Sequence, residues 1–494
     1  MLATEISIAQ NEPASRFRSL PFAITTENVV FALFVGGLAW VTFWLGSNRL
    51  ISWGINAVLF AGLAGVYELS LLMRLKPHPV ALRRVGLSAI LFAVVTLWVL
   101  AQNVTWMPLE WQHPIWQLAS DALGRQLAGS ISVDRDLTAL ALLRLMTAAS
   151  VFWLALQLCH DAARARWLIW SVIGIGAAYA AVGILALGFM RDGRVFPELG
   201  PTKLLTSTFV NQNHYVTFAG IGLIAAIGTT LRLYRRDLSQ TGRIWQLKFA
   251  ALIRTTGSAA ALPLALGSVI LAALMLTGSR GGIISTALGV FVLFILNVGK
   301  AKGRNEALLL AFAALVVAVG FIAFGDVFVG RITDQGLYDQ GRPAVLNVTI
   351  RSILSAPLLG FGYGTFSSAF PMFRDDSASL SGFWDKAHNT YIEIFQGLGL
   401  LFGAMLIACV VVLVWDCLKG AKTRRRGATI PAIAASVSFL VGAHALIDFS
   451  LQIQAVALTY MAVLGAGVAQ ARDPSSTDVA PGWKFDSFSR DEGA

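Results

Sequence analysis

Arg280 is the side chain in this 494-residue sequence whose setting most directly suggests chemistry. It lies in residues 277–282, Thr-Gly-Ser-Arg-Gly-Gly, between two apolar runs. A guanidinium presents five donors in a planar fork and keeps its charge, which suits a phosphate or diphosphate. The glycines that follow let backbone approach a ligand closely, and the next helix would add unpaired N–H groups and a positive dipole end. The plainer reading is an arginine reaching the membrane interface beside a tight turn. His388 comes next. A helix is expected to begin at Asn389 or Thr390, so the imidazole would sit at a helix N-terminus, where its charged form is disfavoured. A neutral imidazole facing water is what a general base needs. Glu393, about one turn further on, could orient the ring or bind a sugar hydroxyl. The plainer reading of His388 is a capping or interface histidine.

Two further stretches qualify. Residues 203–214, Lys-Leu-Leu-Thr-Ser-Thr-Phe-Val-Asn-Gln-Asn-His, are polar and amide-rich. Asn211 and Asn213 could cap a helix or hold sugar and phosphate oxygens, and Lys203 adds a positive charge. His444 and Asp448 stand at i,i+4 near the end of an apolar run. In lipid such a pair is costly, so it must face protein or water, and a structural hydrogen-bonded pair is the favoured reading. Glu68 and Arg144 fall inside apolar runs with no assignable partner. Asp375 and Asp376 lack a third ligand at clear spacing, so no metal is expected. Cys159, Cys409 and Cys417 also lack metal-ligand spacing and read as small core residues.

The elements that must hold these groups are membrane helices. Hydrophobic residues make up 56% of the chain, charged ones 13%, and mean hydropathy is +0.68. A soluble domain carries roughly 25% charged residues. The expected fold is therefore an all-α polytopic membrane protein. Runs able to cross about 30 Å of hydrocarbon fall at 28–46, 50–73, 85–104, 137–159, 167–190, 214–231, 256–278, 281–298, 306–325, 390–418, 429–447 and 451–470. That predicts about 12 transmembrane helices, with a large loop, 326–389, between the ninth and tenth. Residues 1–26 show no apolar stretch before a small-residue cleavage site, so the first span is expected to be its own insertion signal.

The net charge of +11 does not point to nucleic acid, because the basic residues sit in short loops as topology signals do. Arg74 to Arg84, Arg164 and Arg166, Arg232 to Arg254, Lys300 to Arg304 and Lys419 to Arg426 all mark one side. Both termini are then cytoplasmic: segment 1–27, and the tail 472–494, whose composition suggests disorder. The 105–136 and 191–213 loops, the Arg280 turn and loop 326–389 face out. Trp106, Trp111 and Trp116 in the first of these read as an interfacial belt rather than a sugar platform. Within the long loop, Pro357, Pro371 and residues 360–364, Gly-Phe-Gly-Tyr-Gly, suggest a packed subdomain rather than a tether.

Several of these segments together resemble the O-antigen ligase and polymerase superfamily. They are Thr-Gly-Ser-Arg-Gly-Gly (277–282), Phe-Val-Asn-Gln-Asn-His (209–214), Gly-Arg-Pro (341–343), Pro-Leu-Leu-Gly-Phe-Gly-Tyr-Gly-Thr-Phe (357–366), Ala-His-Asn-Thr-Tyr (387–391) and His-Ala-Leu-Ile-Asp-Phe (444–449). The resemblance spans about 200–465. It implies an inverting, metal-independent and cofactor-free glycosyltransferase at the periplasmic face of a bacterial inner membrane. The donor would be a glycan on a polyprenyl (undecaprenyl-type) diphosphate, and the acceptor a lipid A–core sugar for a ligase or another lipid-linked repeat for a polymerase. Carried over, His388 would activate the acceptor hydroxyl and Arg280 would grip the diphosphate. Lys203, Asn211, Asn213, Arg342 and Glu393 would line the substrate. Relatives often have an arginine shortly before the Phe-x-Asn-x-Asn segment, where this chain has Leu204 and Leu205. Lys203, or else Arg194, Arg331 or Arg342, would supply the second charge.

The rival from another class is a 12-span transporter. Carriers place their binding residues at the bilayer midplane on interrupted helices, whereas the polar residues here gather at one face and in a long loop. Within the superfamily the ligase type is preferred over the polymerase.

Overall fold

The computed structural model describes residues 25–238, 245–298, 341–375, 384–424 and 427–472. These are helical, with no strand among them. The first six helices are α1 (Thr26–Phe43), α2 (Leu50–Met73), α3 (Gly86–Asn103), α4 (Ile115–Leu123), α5 (Arg135–Leu158) and α6 (Ala162–Phe189). They are followed by α7 (Gln212–Leu238), α8 (Trp245–Gly257), α9 (Ala261–Leu276) and α10 (Arg280–Val298). The C-terminal part holds α11 (Gly341–Ser355), α12 (Thr390–Leu398), α13 (Leu400–Thr423), α14 (Thr429–His444) and α15 (Gln454–Ala469). Polar side chains start several of them: Thr25, Asp134 and Asp161 each accept a backbone N–H of the first turn.

Among the described residues, eight helices are long and apolar enough to cross a membrane, or nine if α8 and α9 form one broken span. A 24-residue helix such as α2, α5 or α13 reaches about 36 Å at 1.5 Å per residue. The chain is a multi-pass membrane protein. α14 and α15 are apolar but shorter. α7 is the central helix: 78% of its apolar window is buried, against 28% for α2, α5 and α13. Its small residues permit this. Gly220 packs under Leu440 and Thr286, and Gly222 lies against Gly176 and Ile270.

Two expectations about spans need correction. The seventh is not straight: α8 and α9 meet at 65°. The tenth is not continuous over 390–418, because Gly399, at φ +79, separates α12 from α13. The ninth, at 306–325, lies outside the described residues, as do residues 326–340 and 376–383 of the long loop, residues 1–24 and the tail from 473.

The break at Gly399 is filled by residues 357–364. Phe361 and Gly362 donate backbone N–H groups to the carbonyls of Gln396 and Gly397, both at 3.0 Å, and Leu400 donates to Pro357 O at 2.7 Å. A Cβ at Gly399 would lie 2.3 Å from the Leu358 carbonyl, so the contact requires glycine. Buried Gln102 of α3 clamps the arrangement, donating to Leu359 O and Gly397 O and accepting from Tyr363 N. The Gly-Phe-Gly-Tyr-Gly segment is therefore packed structure. Glu68 and Arg144 also have partners. Glu68 accepts from Trp153 Nε1 and lies 2.7 Å from His78 Nε2, while Arg144 donates to Gln452 O and stacks over Trp53.

Candidate functional site

The start of α7 is built by Asn211, whose Oδ1 accepts the Asn213 N–H at 2.8 Å and whose carbonyl accepts the N–H groups of His214 and Tyr215. Asn211 is thus a helix-capping residue. Asn213 reaches in two directions. Its Oδ1 accepts from Ser279 Oγ at 2.7 Å, and its Nδ2 donates to Asp448 Oδ2 at 3.2 Å. Ser279 immediately precedes Arg280, the first residue of α10. One amide therefore links the Arg280 turn to the Asp448 turn. A second contact reinforces the link. A Cβ on Gly281 would lie 2.4 Å from Ile447 Cδ1, so α10 meets the 444–449 segment at a glycine.

The sequence suggested His444 and Asp448 as a pair on one helix face; that needs correction. α14 ends at His444, and Asp448 lies on the turn beyond it. The two are bridged by Ser450, which donates to Asp448 Oδ1 at 3.0 Å and lies 3.1 Å from His444 Nδ1. Thr217 Oγ1 is 2.7 Å from the same Nδ1 and gives its own proton to Asn213 O. With both hydroxyl protons so engaged, His444 Nδ1 carries the hydrogen that both hydroxyls accept. The ionisable neighbour of Asp448 is instead His214, whose Nε2 lies 3.5 Å from Oδ1. Both residues are almost fully buried. A buried carboxylate needs donors, and here Ser450 and Asn213 provide them.

His388 approaches this cluster through an aromatic contact. Its ring meets Phe449 edge-on at 5.0 Å between centroids, and Trp384 at 5.9 Å. His214 meets the same Phe449 at 4.7 Å. His388 has φ +53, a left-handed conformation that costs a residue with a side chain roughly 1–2 kcal/mol. Strain of this kind persists only where surrounding structure enforces it. The enforcement is visible on the residues that follow. Asn389 caps α12 by accepting from the N–H groups of Tyr391 and Ile392. Thr390 donates its N–H to Ala445 O at 2.9 Å and its hydroxyl to Asp448 O at 3.1 Å. Glu393 Oε1 accepts from the Ala387 N–H and Oε2 from Gln452 Nε2, both at 2.7 Å.

The residues flanking Arg280, together with Asn213, His388 and Glu393, thus converge on the 444–452 segment. Asn213 and Glu393 are hydrogen-bonded within the protein. Lys203 is exposed and lies two residues before Leu205, which docks on the end of α9 through Leu276 O. Arg194 is tied more directly to the amide-rich segment: its guanidinium donates to Val210 O at 3.1 Å. Arg342 belongs to the first turn of α11, and its side chain and all of Arg331 lie outside the described residues. Asp375 pairs with Arg351, while Asp376 is outside the described residues. His214 and Phe449 lay within quoted motifs but were given no task. The tight spacing of Asn213 and His214, and of Asp448 and Phe449, was the available signal.

Residues 264–408 match the family model described as O-antigen ligase. The match contains Arg280, His388 and Glu393, and it leaves Asn213, His444 and Asp448 outside its bounds. Comparison with curated proteins gives no match.

Proposed function

Given that residues 264–408 make this membrane protein a member of the O-antigen ligase-related superfamily, we propose that it transfers a glycan from a polyprenyl-diphosphate carrier to a sugar hydroxyl, as a ligase acting at the periplasmic face of the inner membrane with both termini in the cytoplasm. The supporting observation is the Asn213 amide. It joins the residue before Arg280 to the residue before Phe449, the ring on which His388 rests.

The acceptor oxygen attacks the anomeric carbon as the bond from that carbon to the diphosphate oxygen breaks. The leaving electron pair stays on the diphosphate, and the hydroxyl proton passes to the His388 imidazole. One displacement inverts the anomeric centre. Charge growing on the diphosphate is met by the Arg280 guanidinium, with Arg194 as the second cation. Fixed cations of this kind work best where water is scarce. Because these cations carry the charge, transfer is metal-independent. General-base help from His388 is worth about 10²- to 10⁴-fold.

The test is transfer from a purified lipid-linked glycan donor by Arg280→Ala and His388→Ala proteins that still insert and purify as single species. Loss of at least about 100-fold in each supports the reading; near-normal product from His388→Ala removes it as the base. Complementation that scores attachment to lipid A–core against polymer length separates ligase from polymerase.

A further inference from the structure

α8 leaves the bundle at an angle. It meets α9 at 65°, and α9 packs along the spans α6 and α7, so α8 runs nearer the membrane plane than the membrane normal. Two hydroxyls pin its last turn to the end of α7. Thr255 donates to Asp237 Oδ2, and Thr256 Oγ1 shares a hydrogen bond with Tyr234 OH, both at 2.7 Å. Ala251 and Thr255 lie on the buried face of α8. On the face turned away from the protein, Phe249 and Ile253 stand one turn apart, each more than half exposed. A helix that lies flat, with an apolar face outward and basic residues beside it, belongs in a bilayer interface.

This end of the molecule is remote from the candidate site. Arg235 of α7 is fastened there to Asn297, at the end of α10. Asn297 stands seventeen residues after Arg280, about 26 Å along the helix, close to the thickness of the hydrocarbon layer. Other cations gather at the same end. Arg232 and Arg236, one turn apart on α7, are exposed, as is Arg166 in the second turn of α6, and Arg232 lies within electrostatic reach of both. Arg254 is exposed on α8 beside Ile253. The neighbouring carboxylates have structural tasks: Asp161 caps α6, and Asp237 takes the Thr255 proton. Like charges at this spacing repel, and phosphate oxygens set among guanidinium groups offset that repulsion.

We propose that this surface binds anionic glycerophospholipid in the leaflet opposite Arg280, with phosphate groups seated at Arg166, Arg232, Arg236 and Arg254 and acyl chains against Phe249 and Ile253. Lipid suits it better than free phosphate, because the cations border an apolar helix face that only a molecule with acyl chains covers. The proposal stands on membrane insertion and is independent of the transferase reading. Bound lipid would brace the corner between α8 and α9, and α9 leads into the Arg280 turn.

The test uses the full-length protein in phosphatidylcholine vesicles containing a phosphatidylglycerol with a diazirine on one acyl chain near the headgroup. Labelling of α8 and the last turns of α7, displaced by unlabelled phosphatidylglycerol and by neither phosphatidylcholine nor inorganic phosphate, supports the proposal. Label displaced equally by phosphatidylcholine, or spread evenly over the helix ends of that leaflet, overturns it. Label that inorganic phosphate also displaces overturns the assignment to lipid. As a second arm, the double variant Arg232→Gln and Arg254→Gln, purified as a single species, should lose labelling about 10-fold or more, whereas Arg232→Lys with Arg254→Lys should stay within about 3-fold of the parent. Parent-level labelling of the glutamine variant overturns the proposal. Labelling needs no turnover, so its outcome is read apart from transfer, and a protein without transferase activity that still labels leaves this inference standing alone.

Discussion

His388 and His214 share the ring of Phe449, with centroid distances of 5.0 and 4.7 Å. One imidazole belongs to the loop before α12 and the other to the first turn of α7, so a single aromatic side chain sets both. Phe449→Ala should lower kcat about 10- to 100-fold with little change in donor KM, because orientation lost by about an ångström costs rate more than binding. Phe449→Leu should recover part of it. Steady-state kinetics on both variants decides; a change confined to KM would remove the positioning role.

Asp448 joins three parts of the protein through Asn213, Ser450 and Thr390. Asp448→Ala removes the carboxylate acceptor of the half-buried Asn213 amide and the buried Ser450 hydroxyl, an unmet buried donor costing about 1–3 kcal/mol. Its Tm in detergent should fall clearly below that of the parent. Asp448→Asn, which keeps one acceptor oxygen, should fall less.

The left-handed backbone of His388 separates strain from chemistry. His388→Gly and His388→Ala should both lose transfer, yet the glycine variant should be the more stable by about 1 kcal/mol, since it relieves the φ +53 conformation. Thermal unfolding of the pair reads this directly. An alanine variant as stable as the glycine one would show that the strain is not held.

Arg194 and Lys203 can be ranked. Arg194 is hydrogen-bonded to the segment that leads into α7, whereas Lys203 is exposed. Arg194→Ala should raise donor KM at least 10-fold and Lys203→Ala less than about 3-fold, in line with the advantage of a forked donor over a point charge. The reverse order would make Lys203 the second cation.

Chelator treatment should leave transfer at its full rate, because Arg280 and Arg194 provide the countercharge. Activity lost to EDTA and restored by a divalent cation would contradict that arrangement.

Much of the site was legible because its members are costly where they stand. A guanidinium between two apolar runs and a histidine before a capped helix stand out against hydrocarbon, and Arg280 and His388 were singled out that way. Helix positions followed from length and apolarity, and α1 to α3 and α5 to α7 appear close to where composition put them. The break at Gly399 did not, because apolar residues continue on both sides and only the backbone turns. The bend between α8 and α9 was hidden because α8 is partly polar and precedes the apolar run. The bridging of His444 to Asp448 by Ser450, and the tie from Asn213 to Asp448, join residues that are near only after folding. Of the two tasks open to Asn211 and Asn213, capping a helix or holding substrate oxygens, the described contacts are with the helix start and the internal links.

The wedge of residues 357–364 in the gap between α12 and α13 is held chiefly by main-chain bonds, with Gln102 as its side-chain clamp. Carbonyl and amide groups are the same whatever side chain they bear. Apart from the glycines its turns require, the wedge therefore anchors the far end of α12 through groups common to every residue, and the helix that follows His388 is seated by chain geometry more than by side-chain identity.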